Sequence, residues 1–196
     1  SIKAKMLLIA TNAYQQPING INSSEYTSVQ YFQVATGSLP EKISKMILPN
    51  GEGCWDTASV MSSFRLDESN RFIIGGVGNL DHIASKIHIK WAKRKIVSLF
   101  PILKNTPIEY NWHGRIAMTN SHIPKIVKLG DKAYSIYGYS GRGIGPGTYF
   151  GKAAAKCLLN NDENYLPVNP VNHNQEHFSS IKSKAFELGA TARHLL

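Results

Sequence analysis

The sequence has few cysteines and none of the signatures that mark common hydrolases and metalloenzymes. Its two cysteines, Cys54 and Cys157, are too few for a disulfide framework or a cysteine-rich zinc site. It contains no H-E-x-x-H motif and no nucleophile elbow with a Ser-His-Asp order, and its seven histidines are dispersed. We therefore expect no bound metal, and the sequence identifies no catalytic residue with certainty.

Two further absences bear on nucleotides and on membranes. The sequence has neither a G-x-G-x-x-G fingerprint nor a phosphate-binding loop motif, so it supplies no recognisable pyrophosphate site. No apolar run approaches the ~20 residues that span a bilayer, and the apolar start is too short for a secretory signal. We expect a cytoplasmic protein without a membrane span. Because the chain starts without Met in a strand-like segment, we also expect it to be a piece of a longer protein.

The charge balance is basic, with 22 Lys and Arg against 13 Asp and Glu and a net charge of +9. Such a balance raises the question of nucleic-acid binding. The densest basic cluster, Lys90 to Lys95, lies on a predicted amphipathic helix, which favours a solvated face. We therefore expect no nucleic-acid partner. The charge is equally compatible with an acidic substrate.

A glycine-rich stretch at residues 138–148 is the most informative part of the sequence. Its five glycines stand at positions 138, 141, 143, 145 and 147, between a short strand-like segment and an alanine-rich segment with good helix propensity. A strand, a glycine-rich loop and a helix in this order let a ligand approach the backbone, where free N–H groups face it. The pattern favours an anionic ligand, and a connector without a ligand is the alternative.

Hydrophobic patterning predicts the other elements. Residues 5–10 form a continuous apolar run typical of a fully buried strand in a parallel sheet. Residues 81–99 have the clearest helical pattern, with Asp81 as a plausible N-cap and Ile83, Ile87 and Trp91 on the core face. Further predicted elements are β-like segments at 25–36, 60–66, 71–76 and 108–119, a polar hairpin loop at 67–70, a hairpin at 123–137 and a last helix at 178–188.

Two other places carry candidate site residues. Thr11 follows the first strand, where open α/β sheets bind ligands, although a plain turn is at least as compatible with the local sequence. Trp112, His113 and Arg115 alternate around Gly114 inside a long strand, and such a glycine often marks a bulge or an approaching ligand. An ordinary β-ladder with a surface arginine is the alternative there.

The order of these pieces resembles the carboxyl-terminal half of FAD-dependent oxidoreductases of the D-amino-acid oxidase, glycine oxidase and sarcosine oxidase superfamily. The resemblance is strongest to the gamma-glutamylputrescine oxidase-like branch. It is carried in family order by 10–14 (ATNAY), 47–51 (ILPNG), 55–57 (WDT), 71–76 (RFIIGG), 100–103 (FPIL), 110–119 (YNWHGRIAMT), Pro124 and 138–144 (GYSGRGI).

The resemblance implies an α+β chain with an α/β flavin-domain remnant. An antiparallel-sheet substrate domain would be joined to the closing strand, loop and helix of a split FAD-binding domain. The implied ranges are the last FAD-domain strand at 1–14, the substrate domain at 15–110, the return into the FAD domain at 111–160 and a carboxyl-terminal extension at 161–196.

The family chemistry implied by the resemblance is oxidation of an amine or amino acid to an imine, with hydride transfer to flavin. Backbone N–H groups from Ser140 to Ile144 would hold the charge that develops at the pyrimidine end of the ring. The implied cofactor-binding residues are Thr11, Trp112, Gly114, Gly138, Tyr139, Ser140, Gly141, Arg142, Gly143 and Ile144. The resemblance implies FAD as the cofactor, which many family members hold covalently through a Cys or His. Neither Cys54 nor Cys157 is well placed for this, so we expect a non-covalent FAD whose full binding would need the absent amino-terminal half.

The substrate implied by the resemblance is a small amine or amino acid. Arg142, Arg115 and Arg65 are candidates for a substrate carboxylate, since arginine grips carboxylates in bidentate fashion, and His113 could line the pocket. The isolated chain is expected to be inactive, and exposed apolar surface could drive it to form a homo-oligomer. The alternative hypothesis is a non-catalytic binding or interaction module that kept the family shape without flavin.

Overall fold

The computed structural model describes residues 3–16, 18–19, 21, 25–58 and 60–196. Residues 1, 2, 17, 20, 22–24 and 59, which the predicted ranges 1–14 and 15–110 include, lie outside the described part. The chain divides into two compact units. One comprises residues 1–28 and 115–183, and the other comprises residues 29–114 and 184–196.

The first unit is built on a three-stranded sheet. Its strands are β1 (Leu7–Ile9), β7 (Lys125–Gly130) and β8 (Ala133–Tyr137), in the order β1-β8-β7. β1 pairs with β8 in parallel and β7 with β8 in antiparallel fashion. Helix α3 (Ile144–Asn160) buries Phe150, Ala154 and Cys157 in a core with residues of β7 and β8. The predicted strand, loop and helix order around the glycines is therefore confirmed, as is the burial of Cys157.

The prediction that the first strand is fully buried was wrong. β1 lies at the edge of its sheet, and Leu7 and Leu8 are 41% and 36% exposed. An edge strand has one paired neighbour, so an apolar run does not by itself bury both of its faces. The parallel pairing itself agrees with the prediction.

The second unit contains a five-stranded sheet in the order β3-β4-β5-β2-β6. Its strands are β2 (Thr27–Ser38), β3 (Cys54–Trp55), β4 (Ser63–Leu66), β5 (Arg71–Val77) and β6 (Ile108–Met118). β2 belongs to this unit from residue 29 onwards and β6 up to residue 114. β4 and β5 form the predicted hairpin, in which the Asp67 carboxylate accepts N–H bonds from Ser69 and Arg71 at the turn. β2 pairs with β5 and β3 with β4, also in antiparallel fashion. Antiparallel pairing together with helices gives the expected α+β class.

β4 begins at Ser63, three residues later than the sequence pattern suggested, because Asp56 organises the preceding segment as a loop. The Asp56 carboxylate accepts bonds from the backbone N–H and the hydroxyl of Ser62 at 3.0 and 2.6 Å, and Lys95 lies 2.9 Å away. Partial burial raises the pKa of Asp56, but these donors outweigh it and lower the pKa to about 2. The carboxylate therefore stays ionised and holds the loop at neutral pH.

Helix α2 (Ser85–Leu99) covers this unit's core with a different face from the predicted one. His88, Ala92 and Ile96 are buried, whereas Ile83 precedes the helix and is 96% exposed. A shift of one position turns a helix by about 100°, so Trp91 lies on the flank of the buried face. Asp81 is not the N-cap, because the helix begins after Ala84 and the Asp81 carboxylate pairs with His113 instead.

Two further helices are α1 (Glu41–Ile47), which the sequence pattern did not predict, and α4 (Ser179–Leu195). α4 runs seven residues beyond the predicted end at 188. Short 3₁₀ turns lie at Asn12–Tyr14, Pro101–Leu103 and Glu163–Tyr165. In the described part of the chain, no helix combines the length and apolarity needed to cross a membrane.

Candidate functional site

The glycine-rich loop between β8 and α3 is held in shape by backbone conformations that favour glycine. Gly138 has φ +83° and Gly141 has φ +85°, in the left-handed region that L side chains rarely adopt. A Cβ at Gly138 would also collide with the side chain of Thr119, which is buried beside it. Glycine at 138 is therefore required both by backbone angle and by space.

The loop leaves a row of backbone N–H groups without internal partners. Ser140 N donates to Ala117 O at 3.1 Å and Arg142 N to Tyr139 O at 3.0 Å, so these two amides are already used. Within the described residues, the N–H groups of Gly141, Gly143, Ile144 and Gly145 donate to no protein acceptor. The first amides of a helix are normally unpaired and carry the positive end of its dipole. This row can therefore donate to an electron-rich oxygen or nitrogen.

The space in front of this row is open. A Cβ at Gly143 or Gly145 would meet no heavy atom within 4 Å, and the Arg142 and Ile144 side chains are exposed. Below the loop, Tyr139 packs edge-on against Phe150 with a ring separation of 6.2 Å. Burial raises the pKa of Tyr139, so its hydroxyl keeps its proton at neutral pH.

A second segment of the same unit fixes the base of the loop. Thr11 is exposed and leads into the 3₁₀ turn Asn12–Tyr14, where Asn12 adopts φ +49°. The Asn12 Oδ1 atom accepts the Gly138 N–H at 3.0 Å. Only Thr11 of this segment was a predicted site residue. The available signal for Asn12 was its residue type, since asparagine is enriched among the non-glycine residues that adopt the left-handed region.

Tyr14, the last residue of the 3₁₀ turn Asn12–Tyr14, contacts Arg115. The Tyr14 hydroxyl accepts the Arg115 backbone N–H at 2.9 Å, and the Arg115 guanidinium lies 5.6 Å from the Tyr14 ring centroid. Burial raises the pKa of the nearby Tyr26 and the positive charge of Arg115 opposes that rise. The structure thus brings Thr11, Arg115 and the loop residues into one unit, with Arg115 exposed.

The other predicted site residues belong to the second unit. Trp112, His113 and Gly114 lie on β6, which runs through Gly114 without a break. Trp112 is partly exposed, and His113 Nε2 lies 3.1 Å from Asp81 Oδ2. Arg65 is exposed on β4, opposite Ile73 of β5. The roles of these residues stay predictions.

Among the described residues, no group of three or more His, Cys, Asp or Glu side chains could hold a metal ion. Tyr26 and Tyr139 have raised pKa values, so neither is ionised at neutral pH. What the arrangement offers chemically is donation from backbone amides together with exposed guanidinium groups.

Comparison with known proteins gives consistent matches. The sequence model of the DAO family, described as FAD dependent oxidoreductase, matches residues 1–157. A probable oxidoreductase OrdL of Haemophilus influenzae is 28% identical over 162 residues, covering 80% of this chain and 36% of that protein. The gamma-glutamylputrescine oxidoreductase of Escherichia coli is 24% identical, with 84% and 39% covered. The chain thus spans between a third and two fifths of these relatives' length.

Solved structures share the fold. L-proline dehydrogenase from P. horikoshii aligns with a TM-score of 0.67 at 22% identity, covering 85% of this chain and 46% of that one. Iminodiacetate oxidase from Chelativorans sp. BNC1 aligns with a TM-score of 0.65 at 11% identity, covering 86% and 45%. At such identities the likeness concerns the fold alone.

Proposed function

The chain belongs to the DAO family of FAD-dependent oxidoreductases, and from this premise we propose that it is the substrate-binding and flavin-closing portion of an enzyme that oxidises the C–N bond of an amine or amino acid. The names of relatives and structural neighbours support this substrate class. They include a gamma-glutamylputrescine oxidoreductase, an L-proline dehydrogenase and an iminodiacetate oxidase, and each name contains an amine or amino acid.

The observation that carries the proposal is the row of unpaired amides at Gly141, Gly143, Ile144 and Gly145. FAD supplies the acceptor for a hydride that leaves the carbon next to nitrogen. Preorganised N–H donors at a helix start stabilise negative charge where it develops, at no cost of reorganisation. This set of N–H donors fits the electron-rich edge of the flavin ring. The open space at Gly143 and Gly145 allows the ring to approach the backbone closely.

The roles of the other chain residues follow from their position. Asn12 fixes the start of the loop through Gly138, which keeps the amides at one orientation. Arg142 is our first candidate for a substrate carboxylate, because it is exposed beside the free amides. Arg115, which is oriented by Tyr14, is the second candidate, and Arg65 is the third.

We propose that FAD is held without a covalent bond to this chain. Cys157 is buried in the core of the first unit, and Cys54 lies on β3 in the second unit. His113 is engaged by Asp81. Neither cysteine stands on the loop that presents the free amides.

The test uses the product of the complete gene, purified and supplied with FAD. Anaerobic addition of amines and amino acids should bleach the visible flavin absorbance with the members that are substrates. Arg142→Ala should raise KM for a carboxylate-bearing substrate by about tenfold or more, since a bidentate charged contact is worth ~1.5–3 kcal/mol. Lys152→Ala, an exposed cation on the same helix α3, is the matched control and should leave KM unchanged.

Two results would contradict the proposal in different ways. A bound flavin that no amine or amino acid reduces would show that the reaction class is wrong. A gene product that ignores FAD altogether would favour the alternative of a non-catalytic binding module.

A further inference from the structure

Two buried histidines meet where the last turns of α4 dock on α2. His88 of α2 is 0% exposed and His194 of α4 is 1% exposed. Their Nδ1 atoms lie 2.8 Å apart. Residues 161–196 extend beyond the part of the chain that the family matches, so this contact concerns a segment that the proposed function does not use.

The contact continues into a chain of polar groups. His88 Nε2 lies 3.0 Å from Glu187 Oε1, and His82 Nε2 lies 3.0 Å from the same oxygen. Glu187 also belongs to α4, so the contacts at both ends of this series of polar groups join α4 to the α2 region. Each nitrogen of His88 faces a group on α4. The two histidines and Glu187 therefore hold residues 184–195 of α4, called the tail below, on α2 by polar contacts as well as by packing.

The distance between the two Nδ1 atoms sets a limit on protonation. A hydrogen bond between two ring nitrogens needs one donor and one acceptor, so one of the two rings must be neutral. If His88 Nε2–H donates to Glu187, then His88 Nδ1 accepts from His194 Nδ1–H. A second cationic ring would place two N–H donors against each other at 2.8 Å, and the contact would become repulsive.

Aromatic rings and cationic side chains surround the His194 ring. The Trp91 indole stacks on its ring at 4.0 Å, and Phe32 of β2 packs edge-on at 6.0 Å. Arg94 of α2 donates to the His194 backbone oxygen. Lys95 of α2 and Arg193 of α4 line the same cavity, and Asp56 is paired with Lys95.

Among the described residues, the His194 Nε2 atom has no hydrogen-bond partner. Burial, the neighbouring His88 and the Arg94 charge, in decreasing order of effect, together lower the pKa of His194 to about 4. The released tail recovers the ordinary value of 6.5, so it binds more protons than the docked tail between these two values. Docking is therefore fully stable above about pH 6.5 and weakens as the pH falls towards about 4.

We propose that His88, His194 and Glu187 form an acid-sensitive latch that holds residues 184–195 on α2 at neutral pH and releases them on acidification. Release couples to uptake of a proton by the histidine pair. The opening equilibrium should therefore rise by up to about tenfold for each unit of pH within the titration window. This segment would respond to pH independently of any flavin or substrate.

The test is hydrogen exchange followed by mass spectrometry on the purified chain, from about pH 7.5 to about pH 4.5, with each rate divided by the intrinsic rate at that pH. Peptides from residues 184–195 should lose protection on acidification, whereas peptides from α3 report any global unfolding. The expected result is a fall of about tenfold or more in the protection of the tail, with α3 unchanged.

Variants separate the latch from general acid sensitivity. His194→Asn places an amide near the Nδ1 position and cannot titrate, so protection of the tail should no longer depend on pH. His177→Asn, at an exposed histidine of the other unit, is the matched control and should behave like the original chain.

A second variant covers the case in which His194→Asn fails to dock. Glu187→Gln removes the carboxylate, whereas the glutamine Oε1 can still accept the His88 Nε2–H, so protection of residues 184–195 should still fall on acidification as in the original chain. Protection of residues 184–195 that does not change with pH in the original chain would overturn the proposal. So would an unchanged pH dependence in His194→Asn, or its loss in Glu187→Gln, which would assign the titration to the carboxylate instead of the histidine pair.

Discussion

At the scale of single residues, a few positions decide the local conformation of the candidate site. Gly138 combines a positive φ with a buried neighbour, Thr119, that leaves no room for a side chain. The Asn12 Oδ1 atom accepts the N–H of this glycine and so connects it to the 3₁₀ turn that follows β1. Gly143, by contrast, has φ −80° and open space around it. Only some glycines of the loop are therefore required by the fold, and the others leave space for a ligand.

The contrast between these glycines predicts different costs of substitution. Gly138→Ala should lower the free energy of unfolding of the first unit by about 1–3 kcal/mol, because the new methyl group meets Thr119 at a strained backbone angle. Gly143→Ala should change it by no more than about 0.5 kcal/mol. Urea titration of both variants checks this. Equal effects would contradict the structural distinction between the two glycines.

At the scale of elements, α2 shows how tertiary packing chooses a helix face. The apolar pattern contains Ile83, Ile87 and Trp91 at intervals of four, yet the buried stripe is His88, Ala92 and Ile96. This stripe includes a histidine because His194 and Glu187 of α4 satisfy its ring nitrogens. A buried polar group costs little when it is paired, so hydropathy alone misplaces the face.

Two isoleucines separate the observed face from the predicted one. Ile96→Ala should destabilise the second unit by about 2–4 kcal/mol, because Ile96 is buried in its core. Ile83→Ala should cost less than about 0.5 kcal/mol, because that side chain is almost fully exposed. Chemical denaturation of the two variants gives the comparison. A larger loss for Ile83→Ala would instead support the face that the sequence pattern predicted.

At the scale of the whole molecule, the chain contains a glycine-rich loop but no dinucleotide fingerprint. It covers 46% of the L-proline dehydrogenase chain that it matches. Under the proposed function, the amides at the start of α3 would face one edge of the flavin ring, and nothing in the sequence is recognisable as a pyrophosphate site. Backbone donors at one edge provide only part of the contacts that a dinucleotide needs.

We therefore expect the purified chain of residues 1–196 to be colourless and to leave the absorption spectrum of added FAD unchanged. The measurement is a visible spectrum after removal of free FAD on a desalting column, with the product of the complete gene as the positive control. A flavin spectrum that stays with the chain would contradict this expectation. It would also show that the loop unit suffices for binding.

The sequence by itself determined the family, the mixed class, the strand, loop and helix order around the glycines, and the β4–β5 hairpin. These features depend on local rules: glycine spacing, helix propensity, alternation and the Asp67 turn. The exposure of β1, the start of α2 and the length of α4 required the tertiary structure. Each depends on a partner distant in sequence. β1 pairs with β8, Asp81 pairs with His113 instead of capping α2, and His194 near the end of α4 contacts His88.

The site divides in the same way. Sequence spacing predicted a glycine-rich loop with Gly138 and Gly141, because such a loop before a helix has a chemical meaning of its own, and the family resemblance added Arg142. The roles of these residues stay predictions. Only the three-dimensional structure decided which amides remain free. The N–H groups of Ser140 and Arg142 donate to the backbone oxygens of Ala117 and Tyr139. The structure also added Asn12 and Tyr14, whose contacts reach across more than a hundred residues. Hydrogen bonds between distant segments leave no periodic trace in a sequence, and for that physical reason the tertiary structure was needed to find them.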